Sequence, residues 1–248
     1  MNNQSMQSVT RIFTLIEKIA ESQSGLSISE LSRASGLPKT TVFRQVKALV
    51  GNNYLVKDKN ERYKLGYKFI ALAKCYTSKL DLREVAGPYL RQLASALNVT
   101  GHIAVRQGDY AAYIEKIQPF SYVCMYSEIG KTIDLYCSAL GKSLMLQFSD
   151  EELNAYLKRT NFIKYTQTTL SKTELIKELK AVKSEGVAYD NAEHEDGVFC
   201  ISVPIYDYTD TVIGAISMTS ADKDFLKDAQ AVAELKRCGA EVSRRFGK

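Results

Sequence analysis

Ser27-Ile-Ser-Glu-Leu-Ser-Arg-Ala-Ser-Gly-Leu-Pro-Lys-Thr-Thr-Val-Phe-Arg-Gln-Val46 reads as two short helices joined by a tight turn. Ser27 stands three positions before Glu30, a spacing that lets each side chain satisfy an orphan backbone N–H of the first helical turn. Gly36 ends that helix because it adopts the left-handed conformation at no steric cost. Pro38 has no N–H to lose, so the second helix starts there. Its inward stripe is Val42, Val46, Leu49 and Val50, one face of a 3.6-residue period. The opposite face carries Lys39, Thr40, Thr41, Arg44, Gln45 and Lys47, groups that donate to phosphates or to base edges. Upstream, Val9, Ile12, Phe13, Ile16, Ile19 and Ala20 predict a supporting helix with one apolar face. Downstream, Tyr54–Lys57 and Arg62–Leu65 flank the polar turn 58–61, which predicts a hairpin wing with Lys59 and Arg62 near its tip. The whole is the pattern of a winged helix-turn-helix, whose second helix enters a major groove of double-stranded DNA.

Charge is distributed in keeping with that pattern. Residues 1–66 hold ten Lys and Arg against five Asp and Glu, and residues 67–248 hold 23 against 23, so the whole formal charge of +5 sits in the first segment. A module that displaces counterions from a duplex needs its cations gathered at the contact surface. The 248 residues have room for a small domain and a medium one, with apolar content enough for a true core. The first residues, Met1-Asn-Asn-Gln-Ser, carry no apolar signal core, and no stretch approaches the roughly 20 apolar residues that span a bilayer. Cys75, Cys124, Cys137, Cys200 and Cys238 are odd in number and widely spaced, which points to reduced thiols in a cytoplasm rather than a disulfide frame or a structural zinc site.

A boundary is expected near Gly66. Residues 67–80 predict a linker helix with Ile70, Ala73, Thr77 and Leu80 on one side. A second domain over 81–248 opens with a long amphipathic helix through Leu82, Val85, Ala86, Tyr89, Leu90, Leu93 and Leu97. Short strands are expected at 102–106, 110–116 and 121–126. Helices follow at 139–147, after Ser149 and after Ser171, the last two with capping-box spacing to Glu152 and Glu174. Strands return at 187–190, 198–206 and 211–219, with a turn at 207–210, and a final helix covers 222–246. Adjacent hairpins mixed with helices predict an α+β sensor-like domain on an antiparallel sheet.

Taken in order, Ser8-Val-Thr-Arg11, Gly36-Leu-Pro-Lys-Thr-Thr-Val-Phe-Arg44, Tyr63-Lys-Leu-Gly66, Ala139-Leu-Gly-Lys142, Glu193-His-Glu-Asp-Gly-Val-Phe-Cys200 and Val203-Pro204 resemble the isocitrate lyase regulator (IclR) family over nearly the whole length. The resemblance implies a dimeric or tetrameric transcription regulator, with an N-terminal winged helix and a C-terminal GAF-like domain that binds a small-molecule effector. It places Phe43 in the DNA interface, where the family usually has His or Tyr; Phe199 stands where Arg is frequent. It also implies an effector pocket formed by the backbone amides of Ala139 and Leu140, by Asp190, Cys200, Ser217 and Thr219, and by an apolar wall including Tyr122, Met125 and Ile133. That set is chemically coherent. Amides opening a helix favour a carboxylate, Ser217 and Thr219 lie two apart on a strand and share a face, and Asp190 accepts from a ligand hydroxyl. The plainer alternative makes Ser217 and Thr219 ordinary sheet residues and Asp190 a turn acid. Within the family, the run from Met125 to Gly130 and Asp190-Asn191 with Glu193 and Glu195 are similar to the branch of 2-keto-3-deoxygluconate repressors, which implies a keto-acid or sugar-acid effector.

Other chemistries stay open at this point. Cys200 has the makings of a thiol nucleophile, with His102 or His194 as base and Asp190 as orienter, although no catalytic residue is expected. His102, His194, Asp190 and Cys200 are also transition-metal ligand types, but no short ligand spacing supports a metal, and no cofactor is expected. A third alternative is an adaptor that uses its winged helix to bind protein instead of DNA.

Overall fold

A computed structural model describes residues 3–118 and 126–248. The chain divides into two compact units, Met1–Lys79 and Leu80–Lys248.

In the first unit, α1 (Asn3–Ala20), α2 (Ile28–Ser35) and α3 (Lys39–Gly51) precede a hairpin of β1 (Leu55–Lys57) and β2 (Tyr63–Leu65). Ser27 caps α2 in a reciprocal box with Glu30, and Gly36 closes it with φ of 68°. The core comprises Leu15, Ile19, Leu31, Val42, Val46, Leu49, Leu55 and Tyr63. The buried line of α1 therefore runs through Leu15 rather than through Val9 and Phe13, which are 50% and 58% exposed. A single bridge from Leu26 to Tyr63 ties the wing to the segment before α2. The expected linker helix is α4 (Lys68–Thr77), which buries none of its residues. Its base is held to the wing by Lys68 N–H donating to the Asn53 carbonyl and by an edge-to-face contact of Phe69 with Tyr54.

The second unit opens with α5 (Leu82–Leu97), capped by Asp81. The strands are β3 (Thr100–Gln107), β4 (Tyr110–Ile117), β5 (Thr132–Asp134), β6 (Ala188–Asn191), β7 (Phe199–Tyr206) and β8 (Val212–Ser220). They form one antiparallel sheet in the order β5-β4-β3-β8-β7-β6. One face packs on α5 and on α9 (Ala229–Arg245) through Leu90, Ala94, Ile201, Val203, Ile216, Met218, Leu235 and Val242. The other face is covered by α6 (Ala139–Leu144), α7 (Asp150–Arg159) and α8 (Lys172–Glu185), with Tyr136, Leu140, Leu144, Tyr156 and Leu175 against the small residues Ala104, Ala111 and Ala215. The architecture is thus α+β, a helix-turn-helix domain followed by an antiparallel sheet flanked by helices. The strand expected at 121–126 lies outside the described residues except for Tyr126, which sits in a bend. β5 was not legible, being three residues long. The final helix starts at Ala229, after a separate 3-10 turn over 223–227, because Asp228 caps it by accepting from Gln230 and Ala231 N–H.

Candidate functional site

On α3, Lys39, Thr40, Phe43, Arg44 and Lys47 are exposed and Thr41 is half-buried. Lys39, Arg44 and Lys47 make no ion pair among the described residues, so their charges face solvent. Gln45 departs from the expected outer face. It is 6% exposed, its amide nitrogen lies 3.5 Å from the Ser8 carbonyl, and its Oε1 has no described partner. At three positions after Val42 and one before Val46, it falls on the flank that meets α1. Arg62 also differs from its expected role. Its guanidinium turns inward, donating to the Gly25 carbonyl at 2.9 and 3.1 Å and pairing with Glu30 at 3.1 Å. Lys57 pairs with Glu61 and Lys64 with Asp58, which leaves Lys59 as the exposed, unpaired cation of the wing turn among the described residues.

In the second unit the sheet face beneath α6 carries two neighbouring rows of cross-strand partners. The first runs Asp190, Cys200, Thr219, Thr100, and the second Ala188, Ser202, Ser217, His102, Lys116. Directly opposed residues share a face, so the pairing brings Asp190, Cys200, Thr219, Ser217 and His102 together. They line an open recess with Ile133, Ala139 and Leu140. Tyr113, Tyr126, Ser127, Ser138, His194, Glu195 and Val198 complete the lining. Tyr122 and Met125 lie outside the described residues. The opening of α6 reaches the sheet because Gly141 packs on the preceding 3-10 turn, where a Cβ would stand 2.2 Å from the Leu135 carbonyl oxygen. Ser138 caps this helix through Gly141 N–H.

Hydrogen bonds fix the polar lining. Thr219 Oγ1 donates to Cys200 Sγ at 3.2 Å and stands 3.4 Å from His102 Nδ1, while His102 Nε2 and Ser127 Oγ are 2.8 Å apart. Glu193 N–H donates to Asp190 Oδ1 at 2.8 Å. The loop after β6 is strapped down by hydroxyls: Thr166 and Thr168 donate to the Ala192 carbonyl, each at 2.7 Å, and Thr169 donates to that of Glu193 at 2.6 Å. This loop carries His194 between the rings of Tyr126 and Tyr165, and Glu195 accepts from Tyr126 N–H at 3.1 Å. Behind it, the fully buried Lys142 ammonium lies 2.7 Å from Glu193 and 3.7 Å from Glu178.

Burial sets the ionisation of these groups. It lowers His102 to about 3, assisted by the Lys116 charge, so the imidazole is neutral. Burial, with the neighbouring Glu193 charge, pushes Asp190 up to about 7 against the pull of Lys142. The Cys200 thiol is raised well above its ordinary range by burial, then by Asp190. A thiol held protonated, with Thr219 rather than an imidazole as its hydrogen-bond partner, lacks the activation that nucleophilic catalysis requires. Among the described residues no group of three His, Cys, Asp or Glu stands in metal-binding geometry, and no helix is long and apolar enough to cross a membrane. What the recess offers is a polar floor of hydroxyls, one imidazole and one carboxyl under partly apolar walls, an arrangement suited to holding a small polar molecule. Sequence reasoning placed His102 and His194 only in catalytic or metal sets. His102 becomes a lining residue once β3 is paired with β8, a non-local register that no local pattern encodes.

Both domains match known proteins. Residues 8–59 match the IclR helix-turn-helix domain, and residues 74–244 match the bacterial transcriptional regulator IclR C-terminal domain. The chain is 30% identical over 246 residues to the HTH-type transcriptional regulator XynR of Escherichia coli (strain K12), covering 98% of each. It is 30% identical over 247 residues to the HTH-type transcriptional regulator KdgR of Dickeya chrysanthemi, covering 98% of this chain and 81% of that one. In fold it is similar to the crystal structure of the Agrobacterium tumefaciens repressor BlcR, with a TM-score of 0.84 at 21% identity over 97% of each chain. These relatives are named as regulators, not enzymes. An N-terminal helix-turn-helix and a C-terminal α+β domain, each matched to its family model, show that the chain belongs to the IclR family of bacterial transcriptional regulators.

Proposed function

We propose that this regulator binds operator DNA through Lys39, Thr40, Thr41, Phe43, Arg44, Lys47 and Lys59, and that a small carboxylate in the recess adjusts that binding. Arg62 is assigned instead to holding the reader together, and Gln45 to the buried flank against α1. Two readers in a homodimer, or in a tetramer built of dimers, would address half-sites on one duplex in the cytoplasm. The observation that carries the effector reading is the convergence of Ile133, Ala139, Leu140, Asp190, Cys200, Ser217 and Thr219, from five separate elements, on one recess. A keto-acid or sugar acid fits its chemistry: amides of Ala139 and Leu140 for the carboxylate, hydroxyls of Ser217 and Thr219 for polar oxygens. The motif likeness to 2-keto-3-deoxygluconate repressors makes that sugar acid the first candidate. A coupling of about 1–3 kcal/mol between ligand and DNA is enough to change occupancy severalfold to a hundredfold or so.

Thermal-shift titration of the protein with 2-keto-3-deoxygluconate, pyruvate and glyoxylate tests the effector, since a ligand bound only to the native state raises the melting temperature. A gel-shift assay on the promoter region of its own gene, with and without the stabilising acid, tests the coupling. Stabilisation by one acid together with altered operator retardation is the expected result. No stabilisation below millimolar concentration removes the sugar-acid assignment, and absence of retardation at every salt concentration favours the protein-binding adaptor.

A further inference from the structure

We propose that the recess takes up its carboxylate ligand together with one proton from solvent, which forms an O–H bond on Asp190 and is donated in a hydrogen bond to the ligand. The proposal rests on the effector reading above and deepens it.

The first ground is the charge of the lining. Among the described residues no lysine or arginine lines the recess, whereas two carboxyl groups, Asp190 and Glu195, do. The undescribed stretch Pro119–Met125 contains no cationic residue either. The nearby cations are committed elsewhere: Lys142 to Glu193 at 2.7 Å and Lys116 to the Ser127 carbonyl at 2.6 Å. An anion entering this space meets hydroxyls, backbone amides and a neutral imidazole, with no cationic side chain among the described lining residues; the Lys116 charge acts from behind His102.

The second ground is the geometry of Asp190, which is 4% exposed. Only its Oδ1 accepts a described hydrogen bond, from Glu193 N–H. Oδ2 has no described hydrogen-bond partner, and the side chain lines the recess. The groups that face this carboxyl are the Cys200 thiol of β7, the Tyr113 hydroxyl of β4, Cys137 of the turn before α6, Lys142 of α6 and Glu193 of the loop. Beyond them lie Glu178 of α8, His102 of β3 and, at the mouth, His194 and Glu195. Two cations stand near this set: Lys142, which Glu193 already neutralises, and Lys116, which lies beyond His102 and donates to the Ser127 carbonyl. Two carboxylates in one poorly solvated site do not both stay ionised; the protein's own, already inclined to hold a proton, is the one that takes it. The protonated Oδ2 then becomes a donor where the ionised form would repel.

Calorimetric titration of the full chain with pyruvate and with 2-keto-3-deoxygluconate, at about pH 6, 7, 8 and 9 in two buffers of different ionisation heat, reads the proton directly. The expected result is flat affinity with little proton uptake at about pH 6, then a loss approaching tenfold per pH unit above about pH 7, where uptake rises to about one proton per ligand. In Asp190→Asn the carboxamide donates without a proton, so uptake disappears and affinity becomes independent of pH. Binding with flat affinity and no uptake overturns the proposal and leaves the effector reading standing. Uptake that persists in Asp190→Asn also overturns it, since the proton then goes elsewhere. Absence of binding by both acids at about pH 6 overturns the proposal together with the reading on which it rests.

Discussion

Gln45 and Arg44 are neighbours on α3 with opposite fates. The helical period separates them by about 100°, which puts Arg44 in solvent and Gln45 against α1 with its Oε1 unpartnered. Gln45→Leu is therefore expected to keep operator affinity within twofold and to leave the stability of the first unit unchanged or raised by up to about 1 kcal/mol, read by urea unfolding, because an orphaned buried acceptor is removed. Arg44→Ala is expected to weaken specific operator retardation by about 1–3 kcal/mol, with ligand binding unchanged. The residue type alone could not separate these two, since glutamine as well as arginine can read base edges. Only the position of α1 decides, and the α1 residue that Gln45 meets, Ser8, lies 37 residues away in sequence. Asp190 gives a stability prediction at the same scale. Its carboxyl holds a proton up to about 7 in the fold, against an ordinary value of 3.8. The folded state binds more protons than the unfolded one between those values, so this group's contribution falls as pH rises from about 4 to 7. Asp190→Asn keeps the acceptor for Glu193 N–H and loses the titration. A melting temperature raised by about 2–6 °C at pH 8, with no gain at pH 4, is the expected signature.

Local elements were legible where their signals are local. Of the three expected capping boxes, those at Ser27 with Glu30 and at Ser171 with Glu174 close reciprocally, whereas Ser149 accepts from Glu152 N–H without the reciprocal bond. The αL glycine after α2 stands where it was expected. Ser27→Ala should cost about 1 kcal/mol in the first unit. The wing shows what local reading omits. Its hairpin is where the polar turn predicted, yet Arg62 serves the hairpin's attachment to Gly25 and Glu30 rather than an outside partner. The recess was legible in part. Alternation along β8 placed Ser217 and Thr219 on one face, but the alignment of Asp190, Cys200 and Thr219 depends on the β6-β7-β8 register, and the Lys142–Glu193 pair spans 51 residues. No composition or periodicity announces a lysine buried to 0%. That pair anchors the loop carrying His194 and Glu195 to α6, so its removal should be felt in both stability and ligand binding. Lys142→Met strands the Glu193 carboxylate and is expected to cost about 3–5 kcal/mol in urea unfolding. Adding Glu193→Gln to Lys142→Met removes the stranded charge and should recover most of the loss.

Across the whole molecule the two units differ in electrical character. Met1–Lys79 holds thirteen Lys and Arg against five Asp and Glu, and Leu80–Lys248 holds twenty against twenty-three. Within the first unit Glu21, Glu30, Asp58 and Glu61 are paired internally, and Lys39, Arg44, Lys47 and Lys59, like Arg11, Arg33, Lys68, Lys74 and Lys79, make no ion pair among the described residues. An excess of this kind acts through counterion release, and its size is read from the slope of log affinity against log salt. Each of Lys39→Ala, Lys47→Ala and Lys59→Ala should flatten that slope by about one where the residue meets a phosphate, and weaken cognate and scrambled duplexes alike. Asp190→Asn, in the unit of opposite sign, should leave the slope untouched and change only the response of retardation to added acid. The two kinds of variant are measured in one gel-shift series over salt and ligand. A salt slope altered by Asp190→Asn, or a ligand response lost with Lys47→Ala, would show that grip and sensing are not divided between the units as their charges indicate.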